Sequence, residues 1–193
     1  MTSPDYSDDL YYVRPRLSEA EARTRLQART LFSWLFPRKI GKVELCYLPH
    51  YCFQVVVDWR GRGETVEAAV DAVLGHFAFW QSQGLKLMPA QDLGFEIPFL
   101  ISEVEAKHKL TEQYRWVLIS RGLKLGRRFK LKEIRPGTRT YYPFWAGYYQ
   151  ARNQWNFEIV DAVTGMRQGG KVRDAFLAAW KTVPNLKGTP ESK

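Results

Sequence analysis

The chain has 193 residues, of which 29 are Lys or Arg and 20 are Asp or Glu, so its formal net charge is +9. Hydrophobic residues make up 45% and charged residues 25%, which is the balance of a globular protein with a packed core and excludes a wholly disordered chain. No apolar run approaches the length of a membrane span, and residues 1–10 are polar and acidic without a signal-peptide pattern. We therefore expect a cytoplasmic protein of one large or two small domains that begins with a disordered N-terminus over residues 1–10.

The first half of the sequence predicts a short strand and a helix. Tyr11–Val13 could form a strand, and Pro15 follows it. Ser18 and Glu21 have the spacing of a capping box, and apolar residues then recur at helical spacing. These signals predict a helix over about residues 18–34.

Antiparallel strands are predicted to follow this helix. Alternating apolar residues over 43–47 and 51–57 indicate extended structure, and Pro49 between them favours an edge strand or a bulge. A turn at residues 60–63 leads to a return strand over 66–70, and a third strand is predicted over 76–80. Cys46 and Cys52 lie in this stretch, too far apart for a disulfide within one straight strand, so we expect free buried thiols.

One phrase occurs twice in the chain. Val70–Gly75 reads VDAVLG and Val160–Gly165 reads VDAVTG, which are identical at five of six positions. Ser102 begins a second capping box 84 residues after the first, and Tyr141-Tyr142-Pro143 echoes Tyr47-Leu48-Pro49. Three landmarks in the same order predict a tandem duplication, with repeat 1 over 11–94 and repeat 2 over 95–183.

The predicted fold class is accordingly α+β. Each repeat is expected to be a helix packed on a small antiparallel sheet, with an additional C-terminal helix over about 171–182 and a polar tail over 184–193. The apolar residues before the shared aspartate differ in position between the copies, and a shift of one residue reverses the faces of a strand. The copies therefore either contain a bulge or bury opposite faces; the apolar residues concerned are Val66, Ala68 and Val70 in the first copy and Trp155, Phe157 and Ile159 in the second.

A helix followed by a hairpin that closes on Val-Asp-Ala-x-x-Gly resembles PepSY-like modules. The chain is also similar to tandem segments of uncharacterised bacterial proteins that carry Tyr-x-Pro-aromatic-aromatic before such a hairpin; the matching residues are Tyr47–Tyr51 and Tyr141–Trp145. The resemblance implies a helix packed across a small curved antiparallel sheet. It also implies a non-catalytic role, often inhibitory or regulatory.

No catalytic signature stands out in the sequence. The glycine-rich nucleotide motifs and Gly-x-Ser-x-Gly do not occur. Asp71 and Asp161 could form a carboxylate pair, but the glycine four residues after each favours a turn-closing role. His50 and Cys52 share a strand face without a third ligand nearby, which does not make a metal site. We therefore predict a protein that is not an enzyme and has no metal or cofactor.

The whole net charge lies in one segment. Residues 107–139 contain eleven basic and two acidic residues, and the remaining 18 basic and 18 acidic residues balance. Leu123, Leu125, Phe129 and Leu131 alternate with basic residues, which predicts a strand within 121–140 that has one buried apolar face and one exposed cationic face. We predict that an anionic partner binds Arg121, Lys124, Arg127, Arg128, Lys130, Lys132, Arg135 and Arg139, and that bases could stack on Tyr142, Trp145 and Tyr149.

These features predict a non-enzymatic binding or adaptor module that engages an acidic protein surface through the basic strand. The alternative is a nucleic-acid-binding protein that uses the basic segment with its neighbouring aromatic residues. A merely solvated surface would have the same composition. The sequence does not indicate an oligomeric state.

Overall fold

Two long antiparallel strands form the centre of the protein. The computed structural model describes residues 10–27, 40–59, 61–80, 84–88, 94–151 and 154–182. Strand β2 (Ile40–Trp59) pairs with β7 (Lys130–Ala151) along most of its length. Leu48 and Tyr142 lie opposite each other near the middle of this pairing. The two Tyr-x-Pro sequences therefore cross at the middle of the sheet.

Six shorter strands complete a mixed sheet of eight strands within the described residues, and three helices pack on it. In chain order these elements are β1 (Leu10–Val13), α1 (Glu19–Gln27), β3 (Arg62–Asp71), β4 (Phe77–Phe79), β5 (Leu87–Met88), β6 (Phe95–Glu96), α2 (Glu103–Leu125), β8 (Gln154–Asp161) and α3 (Gly170–Thr182). The outer edge of β2 pairs with β6 at one end and β3 at the other, and the outer edge of β7 pairs with β8 and β1.

Each half of the chain adds its first strand to the central strand of the other half. Strand β1 runs parallel to β7, with Tyr12 opposite Tyr141, and β6 runs parallel to β2, with Glu96 opposite Tyr47. The helices follow these strands. Helix α1 packs near β8, and α2 packs on β2 and β3.

The predicted fold class is therefore wrong. Residues 11–94 and 95–183 do not form two small sheets, each with its own helix, because the strands of both halves join in one large sheet. The hydrophobic periodicity of a strand shows which residues are buried, but it does not show which strand lies beside it. That is why a single shared sheet could not be distinguished from two separate ones in the sequence.

Pro49 lies inside the sheet, although the sequence predicted an edge strand or a bulge. The N–H and C=O of one strand residue point to the same side of the strand. The Pro49 carbonyl accepts a hydrogen bond from Ala72 N–H (2.8 Å) on the outer side of β2, between the positions where β6 and β3 pair. The missing N–H of Pro49 therefore removes no ladder bond to β7. Pro143 has the same place in β7, with its carbonyl accepting from Ala162 N–H (3.1 Å).

The apolar residues that precede the shared aspartate lie mainly on opposite faces of the sheet in the two return strands. Val70 of β3 packs under α2, and Val160 of β8 packs under α1. Phe157 and Ile159 of β8 contact a separate core on the other side of the sheet, which includes Phe176 of α3. Neither hairpin has a shift in its register. The difference between the two copies therefore arises because α3 covers the second face of β8.

The local predictions agree better with the structure. Ser18 Oγ accepts from Glu21 N–H, while the Glu21 carboxylate accepts from Ser18 N–H at 2.8 Å, so the first capping box is confirmed. Ser102 Oγ caps α2 by accepting from Glu105 N–H at 3.2 Å. The hairpin, the strand at β4 and the helix at α3 are confirmed, and both cysteines are free and buried. The predicted helix beyond Gln27, the N-terminal residues 1–9 and the tail lie outside the described residues.

Candidate binding surface at the end of helix α2

The predicted cationic strand is in large part the end of a helix. Helix α2 continues to Leu125, and Gly126 ends it in the left-handed conformation (φ 60°) with its N–H bonded to the Gly122 carbonyl. Strand β7 begins only at Lys130. Leu, Lys and Arg favour a helix as readily as they fit an alternating pattern. The strand prediction is therefore wrong for residues 121–125 and holds only from Lys130 onward, where Leu131 is partly buried as expected.

Helix α2 has two apolar faces. One face buries Leu110, Tyr114 and other side chains against β2 and β3. The other face has Trp116, Ile119 and Leu123 at positions i, i+3 and i+7, which form one stripe on a helix. Trp116 is 71% exposed and Leu123 is 80% exposed, so the described part of the chain leaves this outer stripe uncovered.

Among the described residues, ion pairs engage at least three of the eight predicted basic residues. Arg121 lies 3.3 Å from Glu64, and Lys132 lies 3.3 Å from Asp58. Arg135 lies 2.8 Å from Glu133 and lowers the pKa of that carboxyl by a hydrogen bond. Exposed pairs of this kind contribute little to stability, but they neutralise part of the local positive charge.

The other cations near the end of α2 remain available. Lys124, Arg128 and Lys130 are exposed and form no ion pair with any described residue. The Arg127 guanidinium lies over the ring of Trp59, with Cζ 4.1 Å from the ring centroid. This cation–π contact positions the guanidinium while its charge stays exposed.

An open groove lies between Trp116 of the stripe and Lys124. It has a volume of about 550 Å³, and Trp116, Arg121, Lys124 and Leu125 are among the residues that line it. We refer to the stripe residues Trp116, Ile119 and Leu123, together with Arg121, Lys124, Arg127, Arg128 and Lys130, as the α2 end. This surface combines uncovered apolar side chains with several cations.

The predicted stacking residues lie elsewhere. Tyr142 donates its hydroxyl to the Asp161 carboxylate (3.1 Å), Trp145 donates Nε1–H to the Leu17 carbonyl (3.1 Å), and Tyr149 is buried. Tyr142 follows Lys130 by twelve residues of strand, which is roughly 40 Å. The exposed aromatic residue beside Lys124 is Trp116. It was not predicted as a binding residue, although its helical spacing to Leu123 is visible in the sequence.

Arg139 is also separate from the α2 end. It lies in the middle of β7, half-buried and opposite Tyr51 of β2. Its charge opposes the rise in the pKa of Tyr51, which burial of the hydroxyl causes. The eight predicted residues therefore do not form one continuous cationic strip.

Asp71 and Asp161 each close a turn. Asp71 Oδ1 accepts from the N–H groups of Val73 and Leu74, and Asp161 Oδ1 accepts from the corresponding residues of the second phrase. Asp71 ends β3 and Asp161 ends β8, and β2 and β7 lie between these strands. Three interstrand spacings amount to about 14 Å, which separates the carboxylates too far for a catalytic pair.

Within the described ranges, no group of three or more His, Cys, Asp and Glu side chains is placed to bind a metal ion. None of the described helices is long and apolar enough to span a membrane.

Comparison with known proteins gave no match to a family model, to a curated protein or to a solved structure. The resemblance to PepSY-like modules therefore stays a prediction from short motifs. The α2 end is therefore the feature from which a function can be inferred.

Proposed function

We propose that this protein is a non-enzymatic binding module that docks an acidic, amphipathic protein partner on the α2 end. The observation that supports this proposal is the uncovered stripe of Trp116, Ile119 and Leu123 beside cations without ion pairs to described residues. A contiguous exposed apolar patch with a polar rim is typical of an interaction site.

The apolar stripe favours a protein partner over a nucleic acid. Full burial of one such side chain stabilises a complex by roughly 1.5–3 kcal/mol, so three side chains provide a useful contribution. Ile119 and Leu123 gain little beside a phosphate backbone, since nucleic-acid sites rely on cations and stacked aromatic rings. A partner helix with an apolar face and acidic flanks would satisfy both parts of the surface, and its charges would speed association.

Photo-crosslinking in the native cells tests the proposal. Benzoylphenylalanine in place of Leu123 should give a discrete protein adduct. The same replacement at Val104, which is 81% exposed on the same helix, should not give that adduct. Failure to form a Leu123-specific protein adduct would contradict the proposal.

Charge reversal provides a second test of the same surface. Replacing Lys124, Arg128 and Lys130 by Glu should weaken the crosslink at position 123 at least tenfold. Replacing the exposed Arg14, Lys86 and Lys181 by Glu is the matched control and should leave the crosslink unchanged. A nuclease-sensitive adduct would instead support the alternative, in which the cations bind a nucleic acid.

A further inference from the structure

A second candidate site, lined by other residues than the α2 end, lies at the amino end of α3. A cavity of about 350 Å³ opens where the amino end of α3 meets β2 and β4, with Leu48, His50 and Ala78 on one side and residues 168–172 on the other. This volume is at the small end of the range for ligand pockets. No residue of the proposed docking surface lines it.

The amino end of α3 presents free backbone donors to this cavity. Arg173 N–H bonds to the Gly169 carbonyl (3.3 Å), whereas the N–H groups of Gly170, Lys171 and Val172 have no partner among the described residues. Apart from the adjoining backbone, no described residue has an atom within 4 Å of the position that a Cβ would take at Gly169 or Gly170, so a ligand can approach the backbone closely. Unpaired donors at the positive end of a thirteen-residue helix favour an anion.

His50 gives the independent second observation. Its side chain is only 9% exposed, and Nδ1–H donates to the Leu48 carbonyl at 2.9 Å. This bond fixes the tautomer in which Nε2 has a free lone pair, and Nε2 has no hydrogen-bond partner in the described ranges. Burial lowers the pKa of His50, and the nearby Asp71 carboxylate opposes that effect. An unpaired neutral acceptor on a residue that lines a cavity fits a ligand that donates a hydrogen bond.

The other charged groups at the cavity are compatible with an anion that carries a proton. Asp71 already accepts from four backbone N–H groups, including that of His76 at 2.6 Å. The His76 ring lies beside the same carboxylate, with Nδ1 3.4 Å from Oδ2. Lys171 is exposed and lines the opening, where its ammonium adds positive charge.

We propose that this cavity binds a small phosphorylated compound. Its phosphate oxygens accept from the N–H groups at the start of α3, and a phosphate O–H donates to His50 Nε2. Leu48 and Ala175 provide an apolar wall for the organic part of the ligand. A phosphomonoester has a second pKa of about 6 and retains a proton at mildly acidic pH, whereas sulfate has none to donate.

An NMR titration of the full chain with phenyl phosphate at pH 5.5, where the phosphate retains its proton, and at constant ionic strength tests this assignment, with phenyl sulfate as the comparison. We expect saturable shifts of the Gly170 and Lys171 amides and of His50 Nε2. Phenyl phosphate should bind roughly tenfold more tightly than phenyl sulfate, because the sulfate leaves the His50 acceptor unpaired. Equal affinity for the two anions, or shifts confined to the α2 end, would overturn the proposal.

The variant Gly170→Pro separates binding from folding. Proline is well accommodated at the first position of a helix, but it removes one N–H and fills the open space. This variant should keep the thermal midpoint and weaken phenyl phosphate binding roughly tenfold. Glu103→Pro, at the first position of α2, is the matched control and should bind as the unmodified chain does. Unchanged binding by a folded Gly170→Pro variant would also overturn the proposal.

Discussion

Replacing Asp71 and Asp161 by asparagine tests how the two identical phrases hold their turns. Asp161 Oδ1 accepts from Val163 N–H (2.8 Å) and Thr164 N–H (2.9 Å), while Oδ2 has the Tyr142 hydroxyl at 3.1 Å. An asparagine oxygen can take the place of Oδ1. Its NH₂ group can donate to the Tyr142 hydroxyl, because a hydroxyl accepts as well as donates. The turn at Asp161 therefore tolerates the amide.

Asp71 has no hydroxyl beside Oδ2; that oxygen faces the backbone N–H of His76, and the His76 ring nitrogen Nδ1 lies farther away at 3.4 Å. Asp71 Oδ1 accepts from Val73, Leu74 and Gly75, and Oδ2 accepts from His76 N–H at 2.6 Å. An NH₂ group in place of Oδ2 would face the His76 N–H donor to donor. Loss of a hydrogen bond to a charged group costs about 1.5–3 kcal/mol, and a buried donor without an acceptor adds to this. We expect Asp71→Asn to lower the free energy of unfolding by about 3 kcal/mol and Asp161→Asn by about 1 kcal/mol.

Urea unfolding followed by circular dichroism measures both losses, provided that the slope against urea stays the same in each variant. A difference of about 2 kcal/mol corresponds to a thermal midpoint roughly 4–8 °C lower for Asp71→Asn in a chain of this size. Equal losses, or a larger loss at Asp161, would refute the reasoning, since the two aspartates would then hold their turns in the same way.

Two further predictions concern stability. Leu110→Ala removes a fully buried side chain of α2 and should lower the free energy of unfolding by about 2–5 kcal/mol. Leu123→Ala on the outer stripe should change that free energy by less than about 0.5 kcal/mol. Similar losses for the two variants in urea unfolding would show that the stripe is covered. Burial raises the pKa of Cys52 from 9.0 to about 11 and that of Tyr141 from 10.0 to about 12. The unfolded chain loses these protons first, so stability is fully present below about pH 9 and declines as pH rises through 11. The urea midpoint measured between pH 7 and 11 follows this decline in stability. A constant midpoint would contradict the prediction, and Cys52→Ala should make the decline smaller.

The sequence predicts those features of the fold that depend on a few neighbouring residues. The Ser18 and Ser102 caps, the turn after Trp59 and the aspartate turns all follow from the chemistry of adjacent side chains. The partners of the strands depend on residues far away in the chain. Nothing in the periodicity of β1 shows that it pairs with β7. Pro49 suggested an edge strand because the sequence does not show that its nitrogen faces a gap between β6 and β3 and not the ladder with β7.

The candidate site was predicted only in part. Counting charges indicated the segment that contains the α2 end, because net charge does not depend on secondary structure. The alternation of Leu123 and Leu125 with basic residues then suggested a strand, although Gly126 is equally a helix stop signal. Extending α2 to Gly126 places Trp116, Ile119 and Leu123 on its outer face. The apolar half of the surface was therefore missed because residues 121–125 were predicted as part of a strand and not as the end of α2.

The pairing of β2 with β7 also governs the order in which the chain can fold. Asp58 pairs with Lys130, 72 positions later, and Ile40 pairs with Tyr149, 109 positions later. Contacts between such distant residues form slowly, because long loops must close first. On the ribosome, β2 is complete well before β7 has been synthesised, so one edge of the longest early strand stays open. Until β7 is added, this open edge is a site at which the nascent chain can pair with another strand and aggregate.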